Sequence, residues 1–330
     1  MKNKTLKTFA AILVLALVSI VICQFSTASR WKVSDKRWAW IKSRVFSPRQ
    51  EVDYAIIGSS FAWCAIHPVI ISKKMDGASA WNLGRNWDGR DADYFIVKEL
   101  LAHHHVKNLL LQFYDEERER LHPFALYLIS PADALAEAVY YLKHTPITDK
   151  EKVKERINTI LGYFANLSVR AYRQVLSGEQ ELGSYYKKTS DELNGFYIED
   201  GSAKQQTAKF AELAGKRWVY HAEDKECLPS GSRSGFYLER IRRLCDEYQV
   251  NLYFVVIPLY LHPLPGKKAV DYFSRLGEVL IPDIRAVDDM RFWRNPTHLF
   301  KAGSRLFTRE LIYLLQRGKE ASPFYDYYKK

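Results

Sequence analysis

Residues 53–60 read DYAIIGSS and run straight into FAWCAIHP, residues 61–68. An apolar run closed by a glycine and two serines is either a buried strand turning a corner or a strand that delivers a nucleophile. Taken alone, GSS favours the corner, because glycine and serine are ordinary turn and helix-cap residues. The rest of the chain must supply a chemical partner before the second reading gains weight.

Five segments share the strand character of this run: 52–57, 80–83, 108–113, 251–257 and 284–287. Most are continuous apolar stretches rather than alternating ones, the pattern of strands covered on both faces in a parallel sheet. Helical periodicity lies between them at 91–104 and 235–248. The alternation implies an α/β fold, a three-layer sandwich around a mainly parallel five-stranded sheet. Residues 116–234 break the pattern, with helical stretches at 133–143 and 151–164 and no strand. That region reads as a largely helical insertion between the third and fourth strands, with PSGSRSG at 229–235 as its exit. A last helix is expected at 301–317, and SPFYDYYKK at 322–330 as a loose end.

The chain begins MKNKTLKTFAAILVLALVSIVIC, three lysines followed by an apolar run from Thr8 to Ile22. This is a targeting segment of intermediate length, so a cleaved signal peptide and a retained membrane anchor both stand. Ser26 and Ala28 are the small residues for cleavage near Ala28. Phe25 with Trp31, Trp38 and Trp40 would form the aromatic belt of a retained helix. Residues 29–50 read as a basic juxtamembrane linker, since 30–49 hold seven Lys or Arg against one Asp, a composition suited to anionic head groups. The organisation expected is thus residues 1–28 as signal or anchor, 29–50 as linker and 51–330 as the globular domain. That domain would lie outside the cytoplasmic membrane, in the periplasm or extracellular space, or be secreted if the segment is cleaved.

With 330 residues, 47% of them apolar, the chain can fill a substantial core. The net charge of +11 favours polyanionic partners, but no nucleic-acid-binding signature accompanies it. Four cysteines are too few for a disulfide framework. A bridge between Cys227 and Cys245 is conceivable, and buried free thiols are the plainer reading.

Ligands of an open parallel sheet bind at the carboxyl ends of its strands. There the sequence offers Gly58, Ser59 and Ser60; Asn82, Leu83 and Gly84; Tyr114 and Asp115; then Asp288, Asp289 and RFWRNPTHLFKAG. A serine nucleophile needs a base held in one tautomer, and His298, in a loop just before the last helix, is the best candidate.

Taken together, IIGSS after a first strand, NLG after a second and NPTHLFKAG near the C-terminus resemble the SGNH, or GDSL-like, hydrolase superfamily. The match is closest to its membrane-anchored branch. That branch includes proteins that act with membrane-bound O-acyltransferases on cell-surface polysaccharide, and the teichoic-acid D-alanylation protein. The resemblance covers about 60 residues at the two ends of the domain. It implies a serine esterase or O-acyltransferase with Ser60 as nucleophile and His298 as base, working without cofactor or metal. It also implies that the N–H groups of Ser60 and Gly84 hold the oxyanion, with Asn82 and Asn86 as neighbouring alternatives. The partners it implies are an acylated polysaccharide and a membrane O-acyltransferase.

Two departures matter. Three residues before its histidine the family has Asp, where this chain has Asn295. Three readings stay open: Asn295 orients the ring, Asp288 or Asp289 supplies the carboxylate, or catalysis is lost and the protein serves as a glycan-binding or scaffolding accessory. After the third strand FYDEE stands where the family has an oxyanion-donating Asn. Elsewhere, consecutive rings of His103, His104 and His105 diverge on a helix and cannot share a metal. His67 is expected to shape the turn or line the site, Cys64 to sit in the core. Asp115 and Glu116 lack the second, separately placed acid that a glycosidase needs.

Overall fold

The computed structural model describes residues 36–86, 89–114 and 232–329, with positions 128, 133, 136, 139, 140, 222 and 223. The chain divides into two compact units, Met1–Lys42 with His122–Leu182, and Ser43–Leu121 with Gly183–Lys330. In the first, the described residues are 36–42 and five positions between 128 and 140, of which 133, 136, 139 and 140 are helical. The targeting segment, the expected helix at 151–164, and Cys227, Asp115 and Glu116 lie outside the described residues. Among the described residues no helix is long and apolar enough to cross a membrane.

The second unit is an α/β fold on a five-stranded parallel sheet. Its strands are β1 (Glu51–Ile57), β2 (Ala80–Asn82), β3 (His105–Gln112), β5 (Asn251–Val255) and β7 (Glu278–Leu280), ordered β2-β1-β3-β5-β7. A short parallel pair, β4 (Ala222–Glu223), a strand inside the stretch expected to hold none, with β6 (Leu264–Pro265), and an antiparallel hairpin, β8 (Trp293–Asn295) with β9 (His298–Leu299), stand apart from it.

Strand side chains alternate between faces, and the burial follows that alternation. Ile56, Leu110, Val255 and Leu280 join one core cluster with α2 (Ser60–Ala65), α3 (Pro68–Lys74) and α7 (Lys301–Arg317), through Ala62, Ile71, Phe307 and Leu311. On the other face Phe254 meets Phe273 of α6 (Lys267–Ser274) at 4.9 Å between ring centroids. There α4 (Arg90–His103) packs on α5 (Arg233–Glu247), Phe95 against Tyr237. Helices therefore cover both faces, which is why the strands read as continuous apolar runs.

Three expectations change. The fifth strand is β7, and residues Ile284–Val287 form a 3-10 turn. Pro282 precedes it, and the Asp283 carboxylate accepts the Arg285 N–H at 3.0 Å, so local capping wins over the apolar look of IRAV. The linker is in part α1 (Lys36–Val45). Trp38, Ile41 and Val45, spaced as one helical stripe, are buried, and Trp40 is buried as well. The tail is not loose: Phe324 is buried, Ser322 donates to the Ile281 carbonyl at 2.6 Å, and Tyr328 of α8 (Tyr325–Lys329) donates to the Pro265 carbonyl at 2.9 Å. Cys64 and Cys245 are buried free thiols, and burial pushes the Cys245 thiol up to about 12.

From β1 the chain passes to β2 on one side and later to β3 on the other. Open parallel sheets hold ligands at such a reversal, beyond the carboxyl ends of the strands, here those of β1 and β3.

Candidate active site

Gly58, Ser59 and Ser60 leave β1 at that end of the sheet. The turn is held from behind by Gln112, the last residue of β3. Its Oε1 accepts both the Ser59 N–H at 2.8 Å and the Ser59 hydroxyl at 2.9 Å. Ser59 in turn caps α2, its Oγ accepting the Phe61 N–H at 3.2 Å. The strand-to-helix corner and the delivery of a serine are thus one structure. Gly58 is obligatory here, because a Cβ would lie 2.6 Å from the Gln112 Cβ.

A buried ionic group fixes the same turn. Arg85 is fully buried; its backbone N–H and Nη1 both donate to the Gly58 carbonyl at 3.0 Å, and Nη1 also meets Asp93 Oδ1 at 2.6 Å. The other Asp93 oxygen takes Arg90 Nη1 at 3.1 Å, and Arg90 Nη2 donates to the carbonyls of Gln112 and Tyr114 at 3.0 and 2.8 Å. One carboxylate therefore links two guanidinium groups that hold the ends of β1 and β3. Burying such charges is tolerable only because each has charge-assisted partners.

His298 arrives from the β8–β9 hairpin. Trp293, fully buried, anchors the hairpin by donating its indole N–H to the Val287 carbonyl at 2.6 Å. Tyr260 donates its backbone N–H to the Pro296 carbonyl at 2.8 Å, and Phe300 does the same to Phe292 at 2.8 Å. Gly303 in the first turn of α7 lets the helix lie against it, since a Cβ there would stand 2.6 Å from the Phe292 carbonyl oxygen. So held, His298 Nε2 lies 2.9 Å from Ser60 Oγ, a pair 238 positions apart in sequence. The Phe61 ring meets the imidazole edge-to-face at 5.6 Å. Both Ser60 and His298 are partly exposed, open to a substrate.

The far side of the ring decides its tautomer. Nδ1 lies 3.0 Å from Asn295 Oδ1 and 2.9 Å from Thr297 Oγ1. Of the three orienting candidates, Asn295 occupies the position. Asp289 instead accepts the Arg291 backbone N–H at 2.8 Å and pairs with its guanidinium at 2.6 Å, contacts that hold its carboxyl below the usual carboxylate range. Asp288 ends the Ile284–Val287 turn as its C-cap. Both aspartates add to burial in raising the Tyr260 phenol.

The expected oxyanion donors divide. The Ser60 N–H opens α2, where a helix provides no internal acceptor. Asn82 is fully buried and its amide N–H₂ is committed to the carbonyls of Ala62 and Ile66, at 3.0 and 2.8 Å, at the end of α2. Its Oδ1 accepts the Gly84 N–H at 2.9 Å. A Cβ on Gly84 would lie 2.7 Å from the Trp63 nitrogen. Asn82 and Gly84 are therefore a clamp on α2, and in this geometry the Gly84 N–H is directed at Asn82.

The remaining candidates lie elsewhere. His67 is buried at the start of α3, its backbone N–H on Thr308 Oγ1 at 2.9 Å. Burial first, then the positive charges of Arg305, Lys301 and Lys73, lower its pKa to about 4. His103 and His104 have separate partners, the Glu99 carbonyl for one and the Arg44 and Val45 carbonyls for the other. Among the described residues no group of three or more His, Cys, Asp or Glu is placed to hold a metal ion.

Gln112, Arg85, Arg90, Asp93 and Thr297 were not anticipated from the sequence. A polar residue ending the apolar run LLLQ, and the charge-dense RDAD opening a helix with a buried face, are the signals that carry them. No protein-family model matches this sequence, and no curated protein matches it.

Proposed function

We propose that the protein is an SGNH-like serine esterase or O-acyltransferase acting on acyl esters, acetyl first among them, of cell-envelope polysaccharide. The observation that carries the reading is the 2.9 Å hydrogen bond from Ser60 Oγ to His298 Nε2, with Nδ1 engaged on its other side. In the reaction His298 takes the Ser60 proton as Oγ attacks the acyl carbon. Collapse of the tetrahedral intermediate breaks the ester C–O bond, and His298 returns the proton to the departing glycan hydroxyl. Water or a second glycan hydroxyl then releases the acyl group by the same steps in reverse. The Ser60 N–H is one donor to the oxyanion. The N-terminal sequence supports a domain held outside the cytoplasmic membrane, and the resemblance to the membrane-anchored branch supports a membrane O-acyltransferase as its partner.

Asn295 in place of a carboxylate, and the Gly84 N–H turned to Asn82, favour a second reading: an accessory protein that holds glycan at the same site without turning it over. A fluorophosphonate probe separates the two. Labelling of the wild type and not of Ser60→Ala supports the enzyme; a folded wild type that stays unlabelled at high probe concentration leaves the accessory reading.

A further inference from the structure

The directions of the hydrogen bonds behind His298 follow from two groups that have no choice. The backbone N–H groups of Thr297 and His298 both lie 2.9 Å from one terminal atom of the Asn295 amide. Backbone N–H groups only donate, so the atom facing them is the oxygen. Thr297 Oγ1 is 2.9 Å from that same oxygen, and a hydroxyl has one proton to give. That proton goes to Oδ1, because Oδ1, fixed as an acceptor, can face Nδ1 at 3.0 Å only if Nδ1 is the donor, and a protonated Nδ1 offers the hydroxyl no acceptor. A lone pair of the hydroxyl is then left facing His298 Nδ1 at 2.9 Å, beside Oδ1 itself at 3.0 Å. Two acceptors on one ring nitrogen place the proton on Nδ1 and the lone pair on Nε2, toward Ser60.

We propose that Thr297 is a positioning residue for this base. Its hydroxyl supplies the second oxygen that a carboxylate would bring to Nδ1 and an amide lacks. Asn295 Oδ1 and Thr297 Oγ1 act as a neutral pair, aligned by two backbone amides, that shares the Nδ1 proton. A charge-assisted hydrogen bond is about twice as strong as a neutral one, so two neutral acceptors recover part of what the missing charge would contribute. Their bonds strengthen when the ring becomes an imidazolium, so the effect falls on turnover rather than on substrate binding.

This inference rests on the reading of Ser60 and His298 as nucleophile and base, and its test separates the two. The full-length protein in detergent is compared with Thr297→Val, which keeps the shape and removes the hydroxyl, and Thr297→Ser, which keeps the hydroxyl. One measurement is 4-nitrophenyl acetate turnover together with the fluorophosphonate labelling rate. The other is long-range ¹H–¹⁵N NMR of labelled histidine, with His298 assigned by His298→Gln. The expected result is a fall of about tenfold in kcat for Thr297→Val with KM little changed, a factor equal to one lost neutral hydrogen bond. In the spectra the wild type holds a single tautomer protonated at Nδ1, Thr297→Val shows a mixture, and Thr297→Ser restores the wild-type values. A wild type silent toward ester and probe but with the same tautomer contrast ends the enzyme reading and leaves Thr297 as positioner. A Thr297→Val protein matching the wild type in both rate and spectrum overturns the inference.

Discussion

The side-chain oxygen of Asn295 stands 3.0 Å from His298 Nδ1 and also accepts the backbone N–H groups of Thr297 and His298, each at 2.9 Å. Such a set of donors would serve a carboxylate equally well, yet it converges on a neutral amide. Asn295→Asp should therefore fit without rearrangement. A carboxylate favours the imidazolium form, so esterase activity should rise by about tenfold or more, and the acid limb of its pH profile should move up by roughly one unit or more. Unchanged turnover and an unmoved acid limb in a folded Asn295→Asp would show that the missing charge is not what limits the site.

Gly58 and Gln112 meet too closely for any side chain. Gly58→Ala places a Cβ 2.6 Å from the Gln112 Cβ and 2.7 Å from its Oε1, and overpacking of this kind costs about 1–3 kcal/mol. Denaturant unfolding should register that loss, with slower fluorophosphonate labelling as Ser60 is displaced from His298. A variant with wild-type stability would mean that the β1 turn has slack which its hydrogen bonds conceal.

Asp93 serves two arginines, whereas Arg85 has backbone acceptors as well. Breaking a buried pair by removing one partner costs about 3–5 kcal/mol. Asp93→Asn should sit at the upper end of that range, because it removes a negative charge that two buried guanidinium groups share, and Arg85→Met should cost less. Urea unfolding of both variants gives the order, and the reverse order would show that the Gly58 carbonyl matters more than the charge pairing.

His67 carries a pH dependence whose sign follows from its lowered pKa of about 4 against 6.5 for the free side chain. The folded state keeps the ring neutral, so on acidification the unfolded chain takes up the proton first. The stabilisation is complete above about pH 6.5 and is lost as the pH falls toward 4. His67→Gln should flatten the decline in urea stability between pH 7 and 5 relative to the wild type. If the two curves stay parallel, the acid sensitivity lies in other groups.

Much of the fold was legible in the sequence because it rests on local or periodic signals. The helix at Lys301–Arg317 has the bounds its periodicity suggests, and the first four strands appear where the continuous apolar runs lie. The fifth did not. EVL is only three residues long, and the more apolar IRAV drew attention from it, although Pro282 and the Asp283 cap divert IRAV into a turn. The tail misled in the same way: nothing local in SPFYDYYKK announces that Phe324 is covered by distant residues.

Local sequence places a serine after a buried strand and a histidine before the last helix, with an amide three residues ahead of that histidine. Their meeting belongs to the folded chain. Parallel crossovers bring the ends of β1 and β3 side by side and set the β8–β9 hairpin over them, so 238 positions of separation close to 2.9 Å. The fold also decides where Gln112, Arg85 and Thr297 stand relative to the serine turn and the imidazole. A hydrogen bond has a direction, and which group donates is set by the fixed neighbours it faces, a relation that exists only once the chain is folded.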